Sequence, residues 1–407
     1  MGALLLPCGC AAVTLGAAQG RYNRRMPDRP RATALLGGLA PSRFLARYWQ
    51  RRPLLIRGAI QGFEGLLTPQ DLMHLACRDD TQARVVVRHA RKWEVHHGPF
   101  KPRFFHDLGP RGWTLLVQDV NHLLPEGRAL LERFSFVPYA RLDDLMVSYA
   151  PPGGGVGPHC DSYDVFLLQG RGHRRWRISA QRDLSLVAGA PLKLLARFHA
   201  QHEWQLGPGD MLYLPPGYAH DGMAMDECMT YSIGFRAPSW QELGEQFLTH
   251  LQDEIQLPGL YRDPGLRPTA QPARIGRDML SQAQLHLGRI RWSPTDVLQF
   301  LGRYLTEPKP QVFFIRPQPA LAPATFARQA ERNGVVLDLK TQMLYAATSV
   351  FINGEQVSAQ GLLLRRLQRL ADQRALFLTS DEPHGLARLL HGWYLAGYVA
   401  PGSGDTS

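Results

Sequence analysis

A histidine and an aspartate stand two residues apart in a glycine-rich stretch near the middle of the chain. The stretch runs over Gly153–Ile178 and reads GGGVGPHCDSYDVFLLQGRGHRRWRI, with His159 and Asp161 on either side of Cys160. On a β-strand, residues i and i+2 point to the same face, so the imidazole and the carboxylate converge while Cys160 faces the other way. The pattern therefore predicts a metal site, preceded by glycines that permit a close approach of backbone and substrate.

A second histidine occurs in a later segment whose spacing suits a partner strand. The segment reads GDMLYLPPGYAH and ends at His220. Its glycines and proline match the second cupin motif up to the histidine, while Ala224 stands where that motif has a polar residue. The first cupin motif departs further, because HxH becomes HxD and no glutamate follows three or four residues later. A four-ligand cupin site is thereby disfavoured.

Two histidines and one carboxylate form the facial triad of non-haem iron enzymes. The set His159, Asp161 and His220 leaves positions on Fe(II) open for oxygen and for a bidentate organic acid. Zinc prefers a closed tetrahedral shell or a different ligand set. An isolated HxD is common by chance, and a buried histidine is more often a hydrogen-bonded core residue than a ligand. The second motif, at a distance consistent with a barrel, favours the metal site over that alternative.

Arg174 is the residue expected to bind the organic acid. In the strand-like run HRRWRI it shares a face with Trp176 and Ile178, so a cation points into an apolar interior. Such a cation needs a carboxylate partner, and the distal carboxylate of 2-oxoglutarate suits a guanidinium fork. The alternative partner is a protein acid such as Asp164. Two hydroxyl donors on neighbouring strand-like runs would complete this cosubstrate pocket, Ser148 and Ser232.

The elements that must position these residues are short and rich in β-structure between residues 82 and 240. Runs such as ARVVVRH, WTLLVQDV, LMVSYA and DMLYLPP recur between Gly, Pro and Asp turns, which is typical of a β-barrel or sandwich. Upstream, SRFLARYWQRRPLLI predicts a helix that stops at Pro53 and feeds a strand. The predicted fold is mainly β with α.

Helices dominate after Pro238. The segment SWQELGEQFLTHLQDEIQ carries an apolar stripe at helical spacing, and residues 278–305 again have a helical pattern. The last region reads as a helix, two strands and two helices, which suggests a winged-helix-like domain. Its charge is near neutral, and this disfavours DNA binding, which depends on cationic side chains.

The composition excludes several protein classes. The chain has 407 residues, of which 44% are hydrophobic and 20% charged, so disorder, collagen and coiled coil are excluded and two or three domains are expected. Its five cysteines are odd in number, which disfavours a disulfide framework and favours reduced thiols in a cytoplasmic protein. No apolar stretch approaches the roughly 18 residues that cross a bilayer, so no membrane partner is expected.

The net charge of +11 lies mainly at the N-terminus. Residues 1–60 carry ten Lys/Arg against one acid, whereas residues 61–240 balance at 19 against 19. The run RYNRRMPDRPR could contact RNA, but a solvated, flexible leader is the simpler interpretation. The first twenty residues have the length of a secretory apolar region without the basic residues that precede one, and a start at Met26 would explain them equally well.

The segments that carry these motifs resemble the bacterial ribosomal oxygenases of the JmjC cupin group. They are FLARYWQRRPLLIRG, LVQDVNH, PGGGVGPHCDSYDVFLLQGRGHRRWRI and GDMLYLPPGYAHDGMAMDECMTYSIGFRAP. The resemblance implies a JmjC double-stranded β-helix over 36–240, a helical dimerisation region over 241–307 and a winged-helix-like domain over 308–407. It also places the iron ligands on the residues of the triad and the 2-oxoglutarate-binding arginine on Arg174. The flexible basic leader expected over 1–35 has no counterpart in this family.

The same resemblance implies a function and partners. It implies a hydroxylase that uses Fe(II), 2-oxoglutarate and O2 to modify the β-carbon of an arginine in the sixteenth large-subunit ribosomal protein. The apolar stripe after Pro238 then predicts a homodimer, although a helix buried within one protomer would look the same. Direct nucleic-acid binding is not expected. The alternatives are the same chemistry on another residue such as histidine, and a non-catalytic cupin that binds the ribosome or nucleic acid.

A cationic target side chain would need acidic or aromatic neighbours at the mouth of the site. The sequence offers Asp143, Asp144 and Tyr149 for this role and does not choose among them.

Overall fold

The structure is a computed structural model that describes residues 30–89, 92–379, 382–383 and 385–402. Its helices, in chain order, are α1 Pro30–Leu35, α2 Pro41–Arg47, α3 Pro69–Ala76, α4 Pro102–Asp107, α5 Pro125–Glu132, α6 Trp240–Glu254, α7 Arg277–Leu287, α8 Pro294–Thr306, α9 Pro323–Asn333, α10 Gly361–Gln373 and α11 Leu386–Ala396. Its strands are β1 Leu54–Ile56, β2 Ala83–His89, β3 Lys92–His97, β4 Trp113–Val117, β5 Leu142–Ala150, β6 His159–Cys160, β7 Val165–Arg171, β8 Arg174–Ser179, β9 His202–Leu206, β10 Met211–Leu214, β11 Ala219–Ala224, β12 Cys228–Phe235, β13 Val335–Leu337, β14 Met343–Ala346, β15 Ser349–Ile352, β16 Glu355–Ser358, β17 Ala375–Leu376 and β18 Val399–Pro401.

Two antiparallel sheets form the predicted β-barrel. The larger has the strand order β1-β10-β7-β12-β5-β4-β2-β3, and the smaller has the order β6-β11-β8-β9. Alternate residues of β7 and β8 meet between the sheets, where Leu167 packs in one buried cluster with Trp176 and Ile178. The alternation of strand side chains is what allows β7 to contribute to this interior and to a second core on its outer face.

The outer face of the larger sheet is covered by the N-terminal helices. The ring of Phe44 on α2 lies 5.0 Å from Tyr213 on β10 and 5.5 Å from Phe166 on β7, measured between ring centroids. Leu35, the last residue of α1, is completely buried in the same core. The expected leader over 1–35 therefore needs correction at its end, because residues 30–35 fold onto the domain. Residues 1–29 lie outside the described residues.

The helical region connects the barrel to the C-terminal domain. The α6 helix begins at its N-cap Ser239, whose hydroxyl accepts a hydrogen bond from the backbone N–H of Glu242. The ring of Phe247 on α6 lies 5.3 Å from Phe300 on α8, and α8 also packs on the β14–β15–β16 sheet. The predicted boundaries at 241 and 308 stay predictions, and α8 contacts elements on both sides of the second one.

The C-terminal domain has the predicted winged-helix-like arrangement of helices and small sheets. Its sheets have the orders β17-β13-β18 and β14-β15-β16. Phe326 of α9, Leu367 of α10 and Trp393 of α11 share one buried cluster with the strands. This core is separate from the cores of the barrel. Within the described residues, no helix is long and apolar enough to span a membrane.

Candidate metal and cosubstrate site

The predicted metal ligands converge at one end of the smaller sheet. His220 on β11 pairs directly with His159 on β6, and their ring centroids lie 4.2 Å apart. The Asp161 carboxylate lies between the two rings, with Oδ2 3.6 Å from His220 Nε2 and Oδ1 3.9 Å from His159 Nε2. One possible ligand atom from each of the three residues lies within 4.8 Å of the others. These separations are too long for hydrogen bonds but suit three groups around one ion.

One detail of the sequence interpretation is wrong. The strand β6 ends at Cys160, so Asp161 lies just beyond it rather than within a regular strand. The carboxylate still reaches the histidines because the backbone N–H of Gly217 donates a hydrogen bond to the carbonyl of Asp161, at 2.9 Å. The loop before β11 thus holds the aspartate in place.

The hydrogen bonds of the two histidines determine which nitrogen is free. Nδ1 of His159 lies 2.9 Å from the carbonyl of Gly157, and Nδ1 of His220 lies 2.9 Å from the carbonyl of Tyr218. A carbonyl oxygen can only accept, so each Nδ1 carries the proton and each Nε2 keeps its lone pair. Both lone pairs are on the nitrogens nearest Asp161. The residues present therefore fit a divalent metal ion.

The protonation state of His220 supports the same assignment. Burial, and then the neighbouring His159, lower the pKa of His220 to about 4. The imidazole is consequently neutral near pH 7 and can act as a ligand without first losing a proton.

Gly157 is required by its position next to the metal ligands. It has φ +77°, and a Cβ on it would lie 2.6 Å from Leu194 and 2.9 Å from the indole of Trp93. Only glycine fits this space and this conformation. Because the Gly157 carbonyl orients His159, the close packing of Trp93 and Leu194 also positions a metal ligand.

Arg174 is buried at the opposite end of the same barrel interior. Its β8 position pairs with Ala224 of β11, whereas His220 pairs with Ile178 four residues further along β8. Four strand residues span about 13 Å between Cα atoms. Trp176 lies between the two ends, with its ring 5.9 Å from the ring of His220 and 5.8 Å from the guanidinium carbon of Arg174.

The guanidinium of Arg174 has no protein carboxylate as partner within the described residues. Arg174 is only 4% exposed. Its Nη2 donates a hydrogen bond to Cys228 Sγ at 3.5 Å, and its Nε has no hydrogen-bond partner. Asp164, the alternative partner, accepts hydrogen bonds from Tyr213 at 2.6 Å and from Gln50 at 3.0 Å instead. A buried unpaired cation is unfavourable, so this end of the barrel fits an anionic ligand such as the distal carboxylate of 2-oxoglutarate.

Buried hydroxyl groups lie on β12, whose first residue Cys228 contacts Arg174, and on its neighbour β5. Ser148 on β5 pairs with Thr230 on β12, and both are buried together with Ser232. Thr230 donates a hydrogen bond to Gln169 at 3.0 Å. Ser148 and Ser232 stay predictions as cosubstrate residues. Thr230 was not predicted for this pocket, but it shares the strand face of Ser232 by the two-residue period of CMTYSIGF.

The residues expected at the mouth of the site separate in the structure. Tyr149 is buried in the outer core, with its ring 5.5 Å from Trp113, so it cannot contact a substrate there. Asp143 instead forms an ion pair with Lys309, with 3.0 Å between Oδ1 and Nζ. The same Nζ lies 2.9 Å from Oδ1 of Asp119. Asp144 is buried beside this group.

Comparisons with known proteins agree with this geometry. A model of the JmjC domain matches residues 129–243, and a model of the ROXA-like winged helix matches residues 289–400. The ribosomal protein uL16 3-hydroxylase of Escherichia coli strain K12 is 34% identical over 318 residues, which is 78% of this chain and 85% of the relative. A probable ribosomal oxygenase of Haemophilus influenzae is 39% identical over 257 residues, which cover 62% of this chain and 60% of that protein.

A solved structure is similar in fold along almost the whole chain. It is YcfD, a ribosomal oxygenase from Escherichia coli, in complex with cobalt and 2-oxoglutarate. The TM-score is 0.75 at 32% identity, over 89% of this chain and 98% of that one. Both domain models, the similarity over most of the chain and the geometry of the triad point to the same group. The chain belongs to the JmjC ribosomal oxygenases.

Proposed function

We propose that this protein is an Fe(II)- and 2-oxoglutarate-dependent hydroxylase that modifies an arginine β-carbon of the ribosomal protein uL16. The observation that carries the proposal is that one barrel interior has groups for a metal ion at one end and a cation for an organic acid at the other. At one end three ligand groups face each other, and at the other the buried Arg174 lacks a protein carboxylate within the described residues. The similarity to the Escherichia coli uL16 3-hydroxylase supports the choice of substrate.

Each group of residues has a separate task in this reaction. His159, Asp161 and His220 would hold Fe(II), which supplies oxidative decarboxylation of 2-oxoglutarate coupled to hydroxylation of a C–H bond. Arg174 would bind the distal carboxylate of the cosubstrate and orient its other end toward the metal. The apolar barrel interior excludes water, and no side chain is needed as a general acid or base.

The test is an assay of hydroxylation with a strand-matched control. The protein is loaded anaerobically with Fe(II) and 2-oxoglutarate, and oxygen is added with peptides from large-subunit ribosomal proteins. We expect mass spectrometry to show one added oxygen on an arginine of uL16, and we expect His159→Ala and Arg174→Ala to abolish it. Arg175→Ala is the control, because Arg175 neighbours Arg174 but lies on the other face of β8.

The outcomes of this assay separate the alternatives. One added oxygen on a histidine would keep the chemistry and change the target residue. If the protein binds iron but forms no succinate from 2-oxoglutarate with any of the peptides, the catalytic proposal is contradicted. That result would favour a non-catalytic ribosome-binding role.

We also propose that the helical region forms a homodimer interface. Supporting this, α7 has no buried residue, and Leu285 and Leu287 on it are each 60% exposed. On α6, Leu248 is 65% exposed although Phe247 and Leu251 of the predicted stripe face α8 or the interior. Large exposed apolar groups of this kind mark interfaces. The stripe itself is thus partly internal, and the exposed residues beside it are the proposed contact.

Light scattering tests the dimer. We expect a mass of two chains at micromolar concentration, and a single-chain mass for Leu248→Glu combined with Leu285→Glu. The control is Leu362→Glu on α10, where an exposed leucine of the C-terminal domain is changed in the same way. A single-chain mass for the unmodified protein would contradict the proposal.

We infer that the protein acts in the cytoplasm, where ribosomal proteins are made. The free thiols of Cys77, Cys160 and Cys228 support a reducing compartment. Cell fractionation with an antibody against the chain tests this, and recovery in an exported fraction would contradict it.

A further inference from the structure

An open groove lies on the surface between β3 and α4. It has a volume of about 520 Å³ and is lined by Val95, His96, His97, Pro99, Phe100, Lys101, Arg103, Phe104 and Asp107. Its polar lining is mainly basic, since Asp107 is its one acid. This groove is distinct from the barrel interior that holds the triad and Arg174.

The groove is connected to the active site through one strand. The strand β3 forms the edge of the larger sheet, and its Trp93 packs against Gly157. The carbonyl of Gly157 in turn orients the metal ligand His159. A ligand bound along β3 and α4 would therefore lie beside the catalytic end of the barrel.

Cations are concentrated at this edge. Residues 84–107 contain six Lys/Arg and two acids, whereas residues 61–240 as a whole are balanced. Lys92, Lys101 and Arg103 are exposed, and none of them forms an ion pair with any residue in the described ranges. Of these, Lys101 and Arg103 line the groove, and exposed cations without an acidic partner create a positive surface for a polyanion.

Aromatic rings lie among these cations. The rings of Phe100 and Phe104 stack with centroids 4.7 Å apart, and His96 meets Phe104 edge-on at 5.4 Å. Phe104 and His96 are half-buried, so parts of both rings remain accessible in the groove. Cations combined with accessible rings are typical of surfaces that bind single-stranded nucleic acid, because phosphates meet the charges and bases meet the rings.

We propose that this groove binds single-stranded RNA next to the active site. A basic protein substrate would be repelled by the same cations, whereas RNA is the polyanion that accompanies ribosomal proteins. Only the choice of RNA over other nucleic acids rests on the proposed function. We therefore revise the expectation that direct nucleic-acid binding is absent. That expectation came from the total charge of long segments and of the C-terminal domain, and the balance of residues 61–240 hides the local excess of cations over residues 84–107.

The test is fluorescence anisotropy of a labelled single-stranded RNA with the full chain, without metal, 2-oxoglutarate or peptide. We compare the unmodified protein with Lys101→Glu/Arg103→Glu. The matched control is Arg328→Glu/Arg332→Glu, which makes the same change in charge on exposed positions of α9. The basic N-terminal sequence is the same in all three proteins, so its contribution cancels.

Counterion release gives the size of the expected effect. Each lost phosphate contact costs about fivefold in affinity at about 0.1 M salt, so Lys101→Glu/Arg103→Glu should bind at least about 25-fold more weakly. The slope of log K against log salt should fall by about 1.4. The control should change affinity by about twofold or less, since long-range charge effects are screened.

Three results would overturn the proposal. They are absence of RNA binding by the unmodified protein, an equal loss in the two double variants, and equally tight binding of a polyglutamate peptide. The last result would indicate a general anion surface. Because the assay contains no turnover, its outcome is independent of the hydroxylation assay, and failure of either proposal can be recognised separately.

Discussion

Arg174 meets Cys228 through a contact of 3.5 Å between Nη2 and Sγ. A thiol is a weak acceptor, so the buried guanidinium lacks the strong anionic partner that a buried cation normally has. This arrangement stabilises the protein poorly by itself and favours the binding of an anion. We therefore expect Arg174, the residue proposed to bind the cosubstrate, to lower the stability of the folded protein when no cosubstrate is bound.

Replacing this arginine should separate function from stability. We expect Arg174→Met to lower 2-oxoglutarate turnover by about a hundredfold or more, because a buried charge-assisted pair is lost. Without cosubstrate, its melting temperature should equal or exceed that of the unmodified protein, since an unpaired buried charge is removed. Succinate formation and thermal unfolding measure the two effects.

The control for this prediction is Arg175→Met, on the opposite face of β8, which should retain turnover. Added 2-oxoglutarate should raise the melting temperature of the unmodified protein and leave that of Arg174→Met unchanged. A variant that melts earlier yet keeps its turnover would show that Arg174 has a structural role instead.

Gly157 should control metal affinity although it is not a ligand. A Cβ there would clash with Leu194 and Trp93, so Gly157→Ala should displace the carbonyl that orients His159. We expect a loss of about 10-fold to 100-fold in Co(II) affinity, measured by chelator competition. Gly153→Ala is the matched control, because Gly153 has the same φ of +77° and nothing within 4 Å of the added Cβ. Equal losses in both variants would mean that backbone strain alone is responsible.

The buried hydroxyls near Arg174 should affect cosubstrate binding rather than the chemical step. We expect Ser148→Ala, Thr230→Val and Ser232→Ala each to raise KM for 2-oxoglutarate by about tenfold, the usual cost of a hydrogen bond to a charged group, with kcat little changed. Steady-state kinetics with an excess of peptide measures this. Ser179→Ala should leave KM unchanged, because Ser179 alternates with Ile178 on β8 and faces away from the interior. A drop in kcat at constant KM would point to a different role.

The acidic group around Lys309 should make stability depend on pH. Burial, and then Asp143, raise the pKa of Asp144 from its ordinary value of 3.8 to about 7. Burial alone would lower the pKa of Lys309, but the carboxylates of Asp143, Asp119 and Asp144 raise it above its usual range. Between about pH 4 and pH 7 the folded state therefore binds more protons at Asp144 than the unfolded state does.

The sign of the effect follows from this difference in bound protons. The contribution of Asp144 to the free energy of unfolding should fall as the pH rises through this window. We expect Asp144→Asn to remove this part of the slope and to be more stable than the unmodified protein at about pH 8. Urea unfolding across the pH range measures it, with Glu126→Gln on the exposed surface of α5 as control. An unchanged slope in Asp144→Asn would show that the carboxyl ionises normally.

The chemistry of the site could be predicted from the sequence to a large extent. The HxD pair, the later histidine and the alternation around Arg174 depend on local spacing and on the two-residue period of a strand. Local backbone geometry determines which side chains share a face of a strand, so these relationships can be predicted without knowing the tertiary structure. The helical pattern after Pro238 was visible for the same reason, and α6 follows it.

The tertiary structure alone decided which distant residues meet. It placed Asp164 with Tyr213 instead of Arg174, brought Thr230 beside Ser148, and paired Lys309 with Asp119 across 190 positions of the chain. Pairings of this kind depend on the register between strands and on packing between domains, which local periodicity does not determine. The sequence by itself thus determined the ligand types and their faces, and folding decided their partners, because contacts between distant residues depend on the whole chain.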